Sequence, residues 1–139
     1  MPHRVWVLVA VAALLGCEHE TGRLTPAQEQ RFTAEGLLHR ADNLTFRWTQ
    51  GAGQRGGTWE NRRASIVVTR RSVLIHKNEK VGIEIGAAIP GSFDVHRDGA
   101  RVRISTGGGS NPETWSFIPA DNAEAWTQDI RSVIRSASP

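Results

Sequence analysis

Hydrophobic residues along the chain fall into three regimes: one unbroken apolar run, a long stretch of alternation, and a closing helical stripe. The run covers Val5 to Leu15, follows His3 and Arg4, and stops at Gly16 and Cys17. A basic start, a short apolar stretch and a small residue at the cut are the layout of a secretory signal. At about 11 apolar residues the run is too short for a membrane span, which needs around 20. Residues 1–16 are therefore expected to be removed.

Thr25-Pro26-Ala27-Gln28 is a helix start, with Thr as N-cap, Pro in the first turn and Gln placed to return a bond to the cap. The helix is predicted to reach about Arg40, with Ala34, Leu37, Leu38 and Ala41 on one side, and to end at Asp42-Asn43. Gly36 interrupts that pattern, and the alternative is that Gly36 to Arg40 opens the first strand. From Leu44 the period is two: Leu44, Phe46 and Trp48 alternate with Thr45, Arg47 and Thr49. Gly51 to Gly57, with four Gly in seven residues, reads as a flexible loop. A second strand from Trp59 to Thr69 follows and ends in Ile66-Val67-Val68. Arg70-Arg71 turns into Val73–His76, and Asn78-Glu79 turns into Val81–Ile85.

Ile89-Pro90-Gly91 breaks the pattern. Phe93 and Val95 then alternate with Asp94 and His96, Asp98-Gly99 marks a hairpin, and Val102, Ile104 and Thr106 alternate with Arg101, Arg103 and Ser105. After a loop from Gly107 to Pro112, Trp115 and Phe117 face one way and Thr114, Ser116 and Ile118 the other. The sum is seven strands grouped four and three. The last element is a helix with Asp121 as the expected N-cap and Glu124 three residues on. Trp126, Ile130, Val133, Ile134 and Ala137 make one apolar stripe, which needs a sheet or barrel mouth to cover.

Composition narrows this picture. A chain of 139 residues, 39% hydrophobic and 22% charged, holds one modest domain. Loss of residues 1–16 removes Arg4 and takes the formal charge from +3 to +2, without the dense basic stripe that nucleic-acid binding requires. One Cys excludes an intrachain disulfide framework and a Cys-based zinc cluster.

That Cys lies in Leu14-Leu15-Gly16-Cys17, which resembles a bacterial lipobox. The resemblance implies a diacylglyceryl group on the Cys17 thiol, cleavage before it, and acylation of the new N-terminus. Each buried CH2 of an acyl chain contributes about 0.8 kcal/mol, so two or more chains anchor stably. The alternatives are an ordinary cleaved signal or a buried Cys. Leu15 stands where the family favours a small residue. Glu18 stands where the inner-membrane retention signal of enteric bacteria has Asp, which points to the periplasmic face of the outer membrane. The organisation expected is a signal peptide (1–16), a lipidated tether (17–24), a helical segment (25–43) and a barrel domain (44–139).

The order of elements, with Trp115-Ser116-Phe117 leading through Pro119-Ala120-Asp121 into Ala123-Glu124-Ala125-Trp126 and then Ile130 and Ile134, resembles a pleckstrin homology (PH) domain. The resemblance covers Leu44 to Ser136 and implies a mainly β, α+β fold: a seven-stranded antiparallel, partly open barrel capped by an amphipathic C-terminal helix, with Trp126 at the family's helix Trp. The competitor is a lipocalin-like or other small closed barrel, with about eight or more strands and a ligand cavity. The likeness also implies a ligand edge at the open end. Its rim would comprise Arg47, Arg55, Trp59, Arg62 and Arg63, together with Lys77 and Lys80 from the segment His76-Lys77-Asn78-Glu79-Lys80. Such a rim holds a phosphate or other acidic group by charge-assisted bonds; the plainer reading is a set of solvated loop charges. The family's phosphoinositide pattern has a basic-x-Arg pair in strand two. Arg62-Arg63 instead puts two Arg on opposite faces, so specific inositide recognition is not expected.

Catalytic spacing is sparse. His39, His76 and His96 have no metal-ligand spacing, and no Gly-x-Ser-x-Gly elbow occurs. Asp94 and His96 share a strand face and are the one candidate acid/base pair, for a small hydrolase; a surface charge pair is the plainer reading. Of Trp48, Trp59, Trp115 and Trp126, three sit in inward patterns and Trp59 is the candidate for contact. The function expected is a non-catalytic, lipid-anchored envelope module that binds or scaffolds a protein or acidic component. The alternative is anionic lipid head-group binding through basic loops. Expected partners are the membrane, through the anchor, and a protein or anionic lipid, with no nucleic acid, cofactor or metal.

Overall fold

A computed structural model describes residues 24–51, 57–77, 80–86, 93–106 and 112–137. Helix α1 (Pro26–Glu35) starts as its sequence dictates: Thr25 Oγ1 accepts from the Gln28 N–H at 3.2 Å, and Gln28 Oε1 accepts from the Thr25 N–H at 2.8 Å. It stops five residues earlier than Arg40. Gly36 takes φ 82°, a left-handed conformation that glycine adopts without steric cost, and caps the helix. Strand β1 (Leu37–Gln50) begins at once, so residues 37–43 belong to the sheet and not to the expected helical segment 25–43. Leu37 and Leu38 are 48% and 38% exposed and form no helical stripe. Asp42-Asn43 is a kink in the strand: Asn43 has φ 57° and the pairing register shifts between Ala41 and Leu44.

The remaining elements are β2 (Gly57–Thr69), β3 (Ser72–Lys77), β4 (Lys80–Gly86), β5 (Phe93–Asp98), β6 (Arg101–Thr106), β7 (Glu113–Phe117) and α2 (Ala123–Ala137). The described strands form one antiparallel sheet in the order β4-β3-β2-β1-β7-β6-β5. β1 reaches both halves of the sheet: all along its length it pairs with β2, and from Phe46 to Gln50 it also pairs with β7. Its register shifts let the sheet curl there into a half-barrel. β4 and β5 stand at opposite ends of the order, and α2 packs against both. This is a PH-like open barrel with a capping helix, and not the closed competitor.

The core follows from the alternation. Phe46, Ile66, Val68, Ile75, Val102, Ile104 and Phe117 point inward and are at most 1% exposed. Trp126, Ile130, Val133 and Ile134 of α2 close over them. Burial of one such side chain is worth about 1.5–3 kcal/mol. The run Ile66-Val67-Val68 breaks the alternation because both faces of β2 are covered. Val67 and Leu74 of β3 look outward and lie under Phe32 of α1, with Leu24 beside them.

Polar bonds fix α1 on that outer face. Glu35 accepts from the hydroxyls of Thr69, at 2.8 Å, and Ser72, at the β2–β3 turn. The Arg70 N–H donates to the Gly36 carbonyl at 3.1 Å. Arg40 ties the helix to β1 by binding Glu29 at 2.7 Å and Asp42 at 3.1 Å. Burial works to lower the Arg40 pKa, but the Glu29 hydrogen bond and the charges of Asp42 and Glu29 outweigh it, and the net shift is upward.

At the start of α2 the cap is Asn122 rather than Asp121: Asn122 Oδ1 accepts from the Ala125 N–H at 3.1 Å. Asp121 accepts instead from Trp126 Nε1 at 3.2 Å. The polar edge of a buried indole thus has its partner one turn away, and the neighbouring Asx residue takes over the helix end.

Candidate functional site

The expected rim divides into residues of different standing. Cys17 with the whole lipobox, Arg55 with most of its glycine loop, and Asn78-Glu79 lie outside the described residues. Trp59, Arg62, Lys77 and Lys80 are placed by their backbone alone. Trp59 is the register partner of Trp48, Arg62 lies in β2, and Lys77 pairs with Lys80 where β3 meets β4. Arg63 is exposed on β2. His76, expected in the loop segment of the rim, is 4% exposed inside β3 and opposite Ser65. β3 runs on to Lys77 and β2 covers that position, so the imidazole belongs to the sheet.

Arg47 leads to a different surface. Its guanidinium binds Glu60 Oε1 with two N–H groups, at 2.7 and 3.3 Å, across the β1–β2 ladder. On its other side lies Ser116 of β7, and Ser116 in turn faces Arg103 of β6 and Arg103 faces His96 of β5. Residues directly opposite in neighbouring strands share a face, so Glu60, Arg47, Ser116, Arg103 and His96 form one row across the convex side. Thr58, Thr49, Thr114, Ser105 and Asp94 form the next row. Between the rows lies a hollow of about 290 Å³ lined by Arg47, Thr49, Thr58, Arg101, Arg103, Thr114 and Ser116.

Short side chains on β7, flanked by long ones on β1 and β6, make that hollow. Arg101 NH1 donates to Ser116 Oγ at 3.3 Å, and Arg103 binds Asp98 at 3.4 Å on the outer edge. The hydroxyls of Thr49 and Thr58 are 3.1 Å apart, and those of Ser105 and Thr114 are 3.4 Å apart. The sequence pattern singles out Arg47 but not Arg101, Arg103, Thr114 and Ser116 as a group, although each of them falls at an outward strand position. What the sequence lacks is the neighbour order β1-β7-β6 that brings those positions together.

Asp94 Oδ2 and His96 Nδ1 are 3.4 Å apart with side chains 76% and 49% exposed, on the open face of β5. The Asp94 Oδ1 accepts from the Val95 N–H, a local turn-like bond. Among the described residues no group of three or more His, Cys, Asp or Glu converges on a point, and no helix is long and apolar enough to cross a membrane. No protein-family model matches the chain, and no curated protein matches it in sequence.

Proposed function

We propose that the chain is a non-catalytic, lipid-anchored binding module of the bacterial cell envelope. Cys17 holds it at the periplasmic face of the outer membrane, and the half-barrel meets a protein or an acidic envelope component. The observation that carries the anchor is the single Cys of the chain, in Leu14-Leu15-Gly16-Cys17 directly after an apolar run of signal length. Support for binding at the surface comes from the interior, where Phe46, Trp115, Phe117 and Trp126 are all 6% exposed or less and fill the space a ligand would take. The second reading, recognition of an anionic lipid head group, draws on the convex hollow with its three Arg.

The test has two parts. The intact mass of the chain purified from bacterial membranes should equal residues 17–139 plus a diacylglyceryl group, with or without a further acyl chain. A mass for any unacylated product overturns the anchor. Cross-linking in intact envelopes should then recover one defined partner. Failure with a chain shown to be folded and acylated overturns the binding module.

A further inference from the structure

We propose that the convex hollow is a binding site for a phosphate group, gripped by the guanidinium groups of Arg47, Arg101 and Arg103 above the hydroxyls of Thr114 and Ser116. The proposal rests on the reading of the chain as a binding module and gives that module a site and a ligand class.

The orientation of Arg101 is the first reason. Its register partner on β5 is Asp98, the natural carboxylate for a cross-strand ion pair. Asp98 binds Arg103 instead, and Arg101 turns inward to donate to Ser116 Oγ at the centre of the hollow. Among the described residues no carboxylate pairs with Arg101; its guanidinium faces the Ser116 hydroxyl, and its charge remains available to a ligand.

The lining is the second reason. Among the described residues, three Arg and four hydroxyl side chains border the hollow, and no carboxylate does. Glu60 and Asp98 stand outside it, on the flanks, and pair with Arg47 and Arg103. The hydrogen bonds to Glu60, Ser116 and Asp98 use four N–H donors. A guanidinium carries about five such donors in a planar fork suited to two-point contact with phosphate oxygens, so most of the donor capacity is unspent.

Dimensions are the third. Arg47 and Arg103 stand on the two strands beside Ser116, so their backbones are about 10 Å apart at the usual strand spacing. The guanidinium groups of Arg47 and Arg103, paired with Glu60 and Asp98 on the flanks, would swing toward Ser116 to close on one small tetrahedral anion, and Ser116, only 6% exposed, forms the floor. A phosphate monoester or diester therefore fits as one group of a larger molecule, either a lipid head group or a soluble phosphate compound.

Inorganic phosphate titrated into the 15N-labelled full chain in a non-ionic detergent tests the site. The expected result is a saturable shift of the Thr114 and Ser116 amides, with Arg101→Gln and Arg103→Gln each weakening binding by about tenfold, since each removes a charge-assisted pair. Arg135→Gln, on the exposed side of α2, should leave it unchanged. A second titration uses dihexanoyl phosphatidylglycerol, with the phosphatidylcholine analogue for comparison. Tighter binding of the phosphatidylglycerol than of inorganic phosphate assigns the group to a lipid head group, and equal or weaker binding assigns it to a soluble phosphate. Absence of saturable shifts, or equal phosphate affinity in Arg101→Gln, Arg103→Gln and the parent chain, overturns the proposal. If those variants still cross-link to the parent's envelope partner while phosphate leaves Thr114 and Ser116 unmoved, the phosphate site fails and the binding module stands.

Discussion

His39 Nε2 and Asp129 Oδ2 lie 2.6 Å apart and join the first half of β1 to the middle of α2. The imidazole also stacks on Trp126, with ring centroids 4.7 Å apart and planes 24° from parallel. Trp126 meets Phe117 edge-on at 5.4 Å. A chain of rings therefore runs from β1 through α2 to β7, two neighbouring strands of the sheet. His39→Ala removes both the bond and the stack and is expected to destabilise the domain by about 2–3 kcal/mol, measured by guanidinium unfolding. Asp129→Asn, which keeps the volume, should cost about 1 kcal/mol. In a double-mutant cycle the two changes should be non-additive; additive losses would remove the coupling.

Phe32 holds α1 on the sheet. It is 2% exposed and packs in the small outer cluster with Val67 and Leu74, with Leu24 at the side and the Arg31 guanidinium 4.6 Å from its ring centroid. Phe32→Ala is expected to cost about 3 kcal/mol if α1 unfolds together with the barrel. A separate outer layer would instead let α1 open locally. Amide exchange of residues 27–35 would then quicken in Phe32→Ala while that of residues 126–134 stayed slow. Faster exchange in both segments would make α1 part of the single folding unit.

Gly36 ends α1 with φ 82°, and a Cβ there would come within 3.1 Å of the Arg70 Cδ. The Arg70 side chain is flexible and can move aside, so the backbone conformation sets the cost. Gly36→Ala is expected to lower stability by about 1 kcal/mol, seen as a lower thermal midpoint. Gly36→Asn should lose less, because Asn tolerates the left-handed region.

The PH-like architecture was legible in the sequence because most strands bury one face alone, so inward and outward residues alternate visibly. Phe46, Val102, Ile104, Trp115 and Phe117 lie where the alternation puts them. The pattern is ambiguous where one element satisfies two demands. The stretch 37–43 has helix-like spacing of Leu and Ala, yet the capping glycine before it ended the helix. Val67 interrupts a period of two because α1 covers the outer face, and a one-dimensional pattern does not show what lies above a sheet. The same limit hid the convex hollow. Arg47, Arg101 and Ser116 are far apart in sequence, and only the pairing of β1 with β7 and β7 with β6 makes them neighbours.

Asp121 and Asn122 divide two tasks at the head of α2, and their substitutions should separate them. Asn122→Ala removes the acceptor of the Ala125 N–H and is expected to cost about 1 kcal/mol, like other N-cap losses. Asp121→Ala strands the Nε1 of Trp126, a residue 2% exposed, and is expected to cost about 1–3 kcal/mol and to shift the Trp126 fluorescence. Were Asp121 the true cap, its loss would leave the Trp126 emission unchanged and Asn122→Ala would be silent.

Glu60 competes with any anion for Arg47. Its carboxylate takes two guanidinium N–H groups at 2.7 and 3.3 Å, and both side chains are nearly half exposed, at 42% for Glu60 and 47% for Arg47. An ion pair that open is worth less than about 1 kcal/mol, which bounds what its removal can return to a ligand. Glu60→Gln is therefore expected to strengthen phosphate binding in the convex hollow by about two- to fivefold, with the gain shrinking as salt rises. Glu124→Gln provides the comparison, because Glu124 pairs with Arg97 at 2.9 Å on the helix side of the domain. It removes the same charge from the molecule without touching Arg47. Equal gains from the two variants would mean that phosphate responds to net charge alone, whereas a gain confined to Glu60→Gln requires that Arg47 itself touches the ligand.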